Sequence, residues 1–200
     1  MPLSDQQVQK MKQKRETILE QAIQLFAEHG YNDTTIAKVA KASNVSFGSV
    51  FTYFENKDQL FYAAVVEPLR EYSEQLLDFD PEAQDAILEL EKMVTNQLRI
   101  IAKFDTYLRL VVQVIGYHNR FPEPFQELDQ FHDTFRAKVG ELLINGQKQG
   151  ALYEQDTNYV STAYMSLLIG LRVNLTDSPE SQMWTNFVPF AMQLFGPKKS

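Results

Sequence analysis

One run of this 200-residue chain limits its fold more than any other, the segment from Thr34 to Phe54. Ile36, Val39 and Ala40 fall at helical spacing and share one face. Thr34 or Thr35 caps that helix by accepting a backbone N–H bond on its hydroxyl. Ala40 is small, so a second helix can cross closely over it. Asn44 suits the left-handed turn that must follow, and Ser46 caps a second short helix. Val45, Val50 and Phe54 turn inward, leaving Phe47, Gly48, Ser49, Thr52 and Tyr53 outward. Aromatics and hydroxyls without a charge are an odd outer face for a solvated helix. They suit base edges and thymine methyls in a major groove. Taken alone, the run also fits an ordinary helical hairpin.

The flanking residues narrow the choice. Before the run stands Ile18-Leu19-Glu20-Gln21-Ala22-Ile23-Gln24-Leu25-Phe26-Ala27-Glu28-His29-Gly30-Tyr31, and after it Asn56-Lys57-Asp58-Gln59-Leu60. In this order and spacing, Arg15 to Val65 resembles the DNA-binding domain of the TetR family of transcriptional regulators. The resemblance implies that Thr35 bonds a phosphate while capping its helix, and that Lys57 meets another at the start of a fourth helix. It places Ser46, Phe47, Gly48, Ser49, Thr52 and Tyr53 at the groove, with Lys38 as a further DNA-binding residue. Phe51 departs from the family's usual tyrosine and cannot supply that phosphate-binding hydroxyl. Tyr53 stands where histidine is common, and Phe47 where a polar or basic residue is frequent. An apolar contact from Phe47 to a thymine methyl, and hence an A/T-containing half-site, is expected.

A net charge of −7 speaks at first against DNA binding, but its distribution does not. Residues 1–60 carry seven basic and seven acidic groups, so the whole deficit lies in 61–200. The basic run Lys10, Lys12, Lys14, Arg15 has no acid within it, and phosphate contact is expected of Lys14 and Arg15. Cysteine is absent, which removes disulfides and thiolate chemistry and favours a reducing cytoplasm. The polar start predicts no signal peptide, and the uncharged stretch Thr157–Leu171 is too short and too polar to span a bilayer. No nucleophile–base set, Gly-rich phosphate loop or metal constellation is visible, so neither enzyme, cofactor nor metal is expected.

Downstream the pattern stays helical. The spacings predict a first helix over about Gln13–Glu28 stopped by Gly30, then Lys57–Leu77 bent at Pro68, Ala83–Lys103 and Asp105–His118. The last of these is apolar nearly all round and is expected to be buried. Phe121-Pro122-Glu123-Pro124 breaks the chain before a helix from Phe125 to Gln149. Two more helices follow, one from Asp156 or Thr157 to Leu175 and one after Asp177-Ser178-Pro179-Glu180 with a kink at Pro189. Their apolar faces exceed what one small body must bury and point to a partner surface. The family implies that they pair with their copies in a four-helix dimer interface, for which Val160, Tyr164, Leu167, Leu171, Trp184, Phe187, Val188, Ala191 and Phe195 are the candidates. It also implies a small-molecule pocket among the middle helices, with Phe104, Tyr107, Gln113, Tyr117, His118, Phe131, Phe135 and Tyr164 as candidate lining.

The reading is therefore all-α, about nine helices: a three-helix helix-turn-helix domain over 1–56 and a helical ligand-binding and dimerisation domain over 57–200. It implies a cytoplasmic homodimeric regulator, by default a repressor, on a palindromic double-stranded operator, released by an apolar or aromatic effector and without a membrane partner. A helical small-molecule carrier, or a protein adaptor with a vestigial head, stays open beside it.

Overall fold

Ten helical segments make up the described residues, 4–198, of a computed structural model of the chain. Ser4 begins the first, α1 (Asp5–Asp33), with a capping box in which its hydroxyl accepts from Gln7 N and Gln7 answers to Ser4 N. The helix therefore starts earlier than its apolar stripe. Gly30, at φ 74°, turns the chain within it, a conformation an L side chain resists, and a short turn runs on to Asp33.

The head is completed by α2 (Ile36–Ala42) and α3 (Phe47–Val50), and α4 (Lys57–Leu76) carries the chain into the body. Ile18, Ala22 and Phe26 of α1 pack with Val39, Val50, Phe54, Leu60 and Phe61 into a sealed core. α4 runs through Pro68, whose missing N–H frees a carbonyl of the preceding turn. In that turn Val65 O accepts from the buried Tyr107 hydroxyl at 2.7 Å.

The body is built around α5 (Ala86–Ala102), which touches α4, α7, α8, α9 and α10. α6 (Asp105–Gly116) packs against α1, so head and body meet along a helix pair. On α6, Leu110, Val111 and Val114 are buried but Val112 and Ile115 are about two-fifths exposed, so the expected all-round burial fails on one side. Phe121-Pro122-Glu123-Pro124 does not delay α7 (Pro122–Lys148). Pro122 sits at the first helical position, where a missing N–H costs nothing and the fixed φ assists.

The last elements are α8 (Thr157–Asn174), α9 (Gln182–Asn186) and α10 (Val188–Leu194). The single kinked helix expected here is two short ones that part at Phe187, just ahead of Pro189. Five candidates for a dimer surface lie inside the chain's own core: Tyr164, Leu171, Trp184, Ala191 and Phe195. The reason is that α5, α7 and the α9–α10 pair use them to close the body. Trp184 takes the Arg172 guanidinium over its ring, and its Nε1 donates to Ser178 O. The outer side of α8 is left with Tyr159, Val160, Ala163, Leu167, Gly170 and Val173 at least partly open, and Phe190 is 63% exposed on α10.

Candidate functional site

Two regions carry features a plain helical body does not need. The first is the outer side of α2 and α3. Thr35 Oγ1 accepts from Lys38 N and caps α2, while Thr34 turns inward and donates to Leu25 O. The threonine pair thus divides its work: one holds the turn to α1, the other stays exposed at the helix start. Asn44 takes φ 52° in the turn, and Ser46 caps α3 by accepting from Ser49 N. Val45, Val50 and Phe54 face inward, and Ser46, Phe47, Gly48 and Thr52 are exposed. Phe47 is 56% exposed and Phe51 43%, their rings edge to face with centroids 5.1 Å apart. Tyr53 is half-buried against the core rather than fully outward, because the turn after α3 swings it back.

The cations around this face are more committed than the sequence indicates. Arg15 bonds Glu67 with both terminal guanidinium nitrogens and lies over the Phe54 ring, joining α1 to α4. That hydrogen-bonded pairing raises its pKa further. Lys38 Nζ donates to Asp33 O, and Lys14 is exposed. Lys57 Nζ sits 4.1 Å from the Tyr31 ring centroid, 3.4 Å from Asn32 O, and its pKa is lowered by burial and by Arg120 nearby. The Tyr31 hydroxyl donates to Asp58 and is pushed up to about 12, first by burial.

These groups lie at the junction with the body. Arg120 bonds Asn32 and also lies over Tyr31, while Phe121 packs on Tyr31 and Phe61. Gln113, expected in a pocket, instead donates from Nε2 to Ala27 O at 3.1 Å, fastening α6 to α1. Tyr117 and His118 are exposed in the α6–α7 turn, with the His118 ring beside Phe125.

The second region is a cavity of about 350 Å³ in the body. Leu69, Tyr72 and Leu76 of α4, Phe104 just ahead of α6, Tyr107, Val111 and Ile115 of α6, Phe125, Leu128 and Phe131 of α7, and Met165 and Ile169 of α8 surround it. Of the residues expected there, Phe104, Tyr107 and Phe131 reach it. Phe135 and Tyr164 do not; they stack on each other in the core, and the Tyr164 hydroxyl donates to Gln97 Oε1 at 2.8 Å. Sequence reasoning missed Tyr72 and His132. Phe125, Leu128, Asp129 and His132 share one stripe of α7 at helical spacing, a signal obscured because Phe131 and Phe135 drew attention to a neighbouring stripe. Apart from Asp129, His132, Ser166 and the tyrosine hydroxyls the lining is apolar, the composition of a small-molecule site.

Among the described residues no group of three or more acidic or histidine side chains is placed to hold a metal, and no helix is long and apolar enough to cross a membrane.

Residues 18–64 match the bacterial regulatory proteins of the tetR family. The chain is 36% identical over 147 residues to a probable acrEF/envCD operon repressor of Escherichia coli, covering 69% of this chain and 64% of the repressor. It is 27% identical over 136 residues to the fatty acid metabolism regulator protein of Bacillus subtilis, covering 66% of this chain and 63% of that one. The matched segment therefore spans somewhat under two thirds of either relative. A crystal structure of a bacterial regulatory protein of the tetR family from Rhodococcus superposes with a TM-score of 0.79 over 93% of this chain and 98% of that one, at 21% identity, a likeness of fold.

Proposed function

Because the chain belongs to the TetR family of bacterial regulatory proteins, we propose that it is a cytoplasmic, DNA-binding transcriptional regulator, in its default mode a repressor. The carrying observation is the α2–α3 hairpin. Its inner residues are sealed, while Phe47, Gly48, Thr52 and the capping hydroxyls of Thr35 and Ser46 stay open on one side. Residues 1–56 read the DNA and 57–200 bind the effector and the second copy. Thr35, Lys14, Lys38 and the N-terminal amides at Lys57 position the head on phosphates, and Phe47, Gly48, Ser49 and Thr52 meet base edges. The pairing of Arg15 with Glu67 gives it a structural role instead.

The outer side of α8, with Val160 and Leu167, and the partly open Phe187 and Val188 form the surface for a second copy. Two heads about 34–36 Å apart then match a palindromic operator. The effector enters the cavity between α4, α5, α6, α7 and α8. The Bacillus relative is named for fatty acid metabolism, and the long apolar lining here fits an acyl chain. Coupling runs through α6 and the turn to α7: Val111, Ile115 and Phe125 line the cavity, and Gln113, Arg120 and Phe121 between them hold the head. A ligand that fits only one arrangement of that turn shifts the heads and releases DNA.

The test is a salt titration of binding to DNA from immediately upstream of the protein's own gene, against a scrambled control, backed by selection from a random pool. Saturation at two protomers per site, lost in Phe47→Ala with Thr52→Ala, is the expected result. No enriched sequence and equal weak binding to both DNAs leaves the body as the functional part, as a carrier of small molecules.

A further inference from the structure

Phe47 is the first residue of α3 and Phe51 its C-terminal cap, four positions apart and so on the same side. Both are exposed, and their rings meet edge to face, centroids 5.1 Å apart and planes at 68°. That is the geometry of a favourable aromatic pair. A lone exposed phenylalanine moves among staggered rotamers, and fixing one of them costs conformational entropy when a partner binds. A second ring at its edge favours one arrangement beforehand, which lowers that cost. Gly48 follows Phe47 as Thr52 follows Phe51, and both are exposed alongside the rings. A Cβ on Gly48 would meet nothing within 4 Å, and its φ is not positive, so neither packing nor backbone conformation requires glycine there. Its bare backbone leaves the flank of the Phe47 ring open to a close neighbour. A helix-turn-helix lays its second helix in the major groove, where base edges present nitrogen and oxygen atoms and one apolar group, the C5-methyl of thymine. An aromatic pair on that helix has only this group to match.

We propose that Phe51 is a positioning residue for base reading: its ring holds that of Phe47 edge to face, and the two, beside the bare backbone of Gly48, form an apolar notch for the C5-methyl group of one base. This rests on the reading of α2 and α3 as the DNA-binding head. The notch answers to the methyl and not to the polar atoms of the base, since a phenyl ring carries no conventional hydrogen-bonding group. Thymine therefore exceeds deoxyuracil there. A cytosine methylated at C5 presents the same group at the same edge of the groove, so it regains the contact that cytosine lacks. The head thereby senses cytosine methylation at that position of its site.

The full-length protein is tested on a duplex selected from a random pool, with thymine replaced by deoxyuracil one position at a time and affinity read by fluorescence anisotropy. The parent is expected to lose roughly three- to tenfold at one position of each half-site. At that position a 5-methylcytosine pair is expected to bind more tightly than a cytosine pair by about the same factor. Phe51→Ala, with Phe47 intact, is expected to bring both ratios below about twofold, and Phe51→Tyr, which keeps the ring, to hold them within about twofold of the parent. Each ratio compares two duplexes on one protein, so a general loss of fold or of phosphate contact cancels from it. Ratios unchanged in Phe51→Ala, or lost in Phe51→Tyr as well, overturn the positioning role. A selected site indifferent to deoxyuracil at every position, or no gain from 5-methylcytosine over cytosine, overturns methyl reading while the head still binds DNA. Failure to enrich any sequence overturns the reading of the head itself, and this proposal with it.

Discussion

The head and the cavity solve opposite problems with the same material. The α2–α3 hairpin turns hydroxyls and aromatic rings outward from a short segment whose inner side chains are buried, apart from the half-buried Val45. The cavity turns aromatic and aliphatic side chains inward from five helices, α4 to α8, and leaves a space between them. A surface that must meet DNA can be specified by neighbours in sequence, because caps and a tight turn fix its backbone locally. A cavity cannot: its walls come from α4, α5, α6, α7 and α8, from Leu69 to Ile169, and only packing brings them together.

The contrast is broken most directly in the shared core. Phe54→Ala removes a fully buried ring that supports α3 from behind and carries the Arg15 guanidinium. A loss of about 3–5 kcal/mol in unfolding free energy is expected, together with DNA binding. Retained DNA affinity after such a loss would show that α3 does not need its sealed underside. Next in size, replacing thymine by deoxyuracil at the contacted positions of a selected site removes only methyl groups. Affinity should fall roughly three- to tenfold, about 1 kcal/mol, and Phe47→Ala should abolish the sensitivity. A site that tolerates deoxyuracil everywhere would assign the exposed Phe47–Phe51 pair to another partner.

On the body side, Tyr107→Phe leaves Val65 O without its buried donor next to Pro68. A cost of about 1 kcal/mol, read by denaturant midpoint, is expected, with the effector response altered because Tyr107 also lines the cavity. Arg120→Ala tests the join between the regions. It removes the contact to Asn32 and one of two cations over Tyr31. Stability should change by about 0.5 kcal/mol, since the group is exposed, while effector-driven release of DNA weakens. Coupling that survives intact would route the signal through Gln113 and α1 instead. The smallest effect is expected of Arg15→Gln. The partly exposed pair with Glu67 contributes about 0.5 kcal/mol, and the salt slope of DNA binding should not move. A slope lower by about one would return Arg15 to the phosphate contacts.

The elements of the head were legible almost residue by residue, because caps act over three or four positions. Thr35, Asn44 and Ser46 each hold the local role their chemistry indicates. The start of α1 was less so: the amphipathic stripe begins at Ile18, and the polar turns before it are set by Ser4 and Gln7, a signal apart from hydrophobic spacing. The start of α7 was misread for a related reason. Pro122 breaks a helix from inside but opens one from its first position, and which applies depends on where the chain turns. In the cavity, Phe104, Tyr107 and Phe131 were legible as aromatic positions on middle helices, but nothing local separated them from Phe135 and Tyr164, which fill the core.

The sequence by itself determined an all-helical chain, a capped two-helix hairpin with an uncharged outer side, and the order of the long helices. Each follows from interactions between residues a few positions apart. Tertiary structure alone decided which apolar residues are spent on closing the body and which stay open. Tyr164, Leu171, Trp184, Ala191 and Phe195 go inward, whereas Val173 and Phe190 remain outside. It also decided that Arg15 meets Glu67, 52 residues away. A helix pattern states which side of a helix is apolar, but what covers that side, or leaves it hollow, depends on how distant helices cross, and that is set by the packing of the whole body.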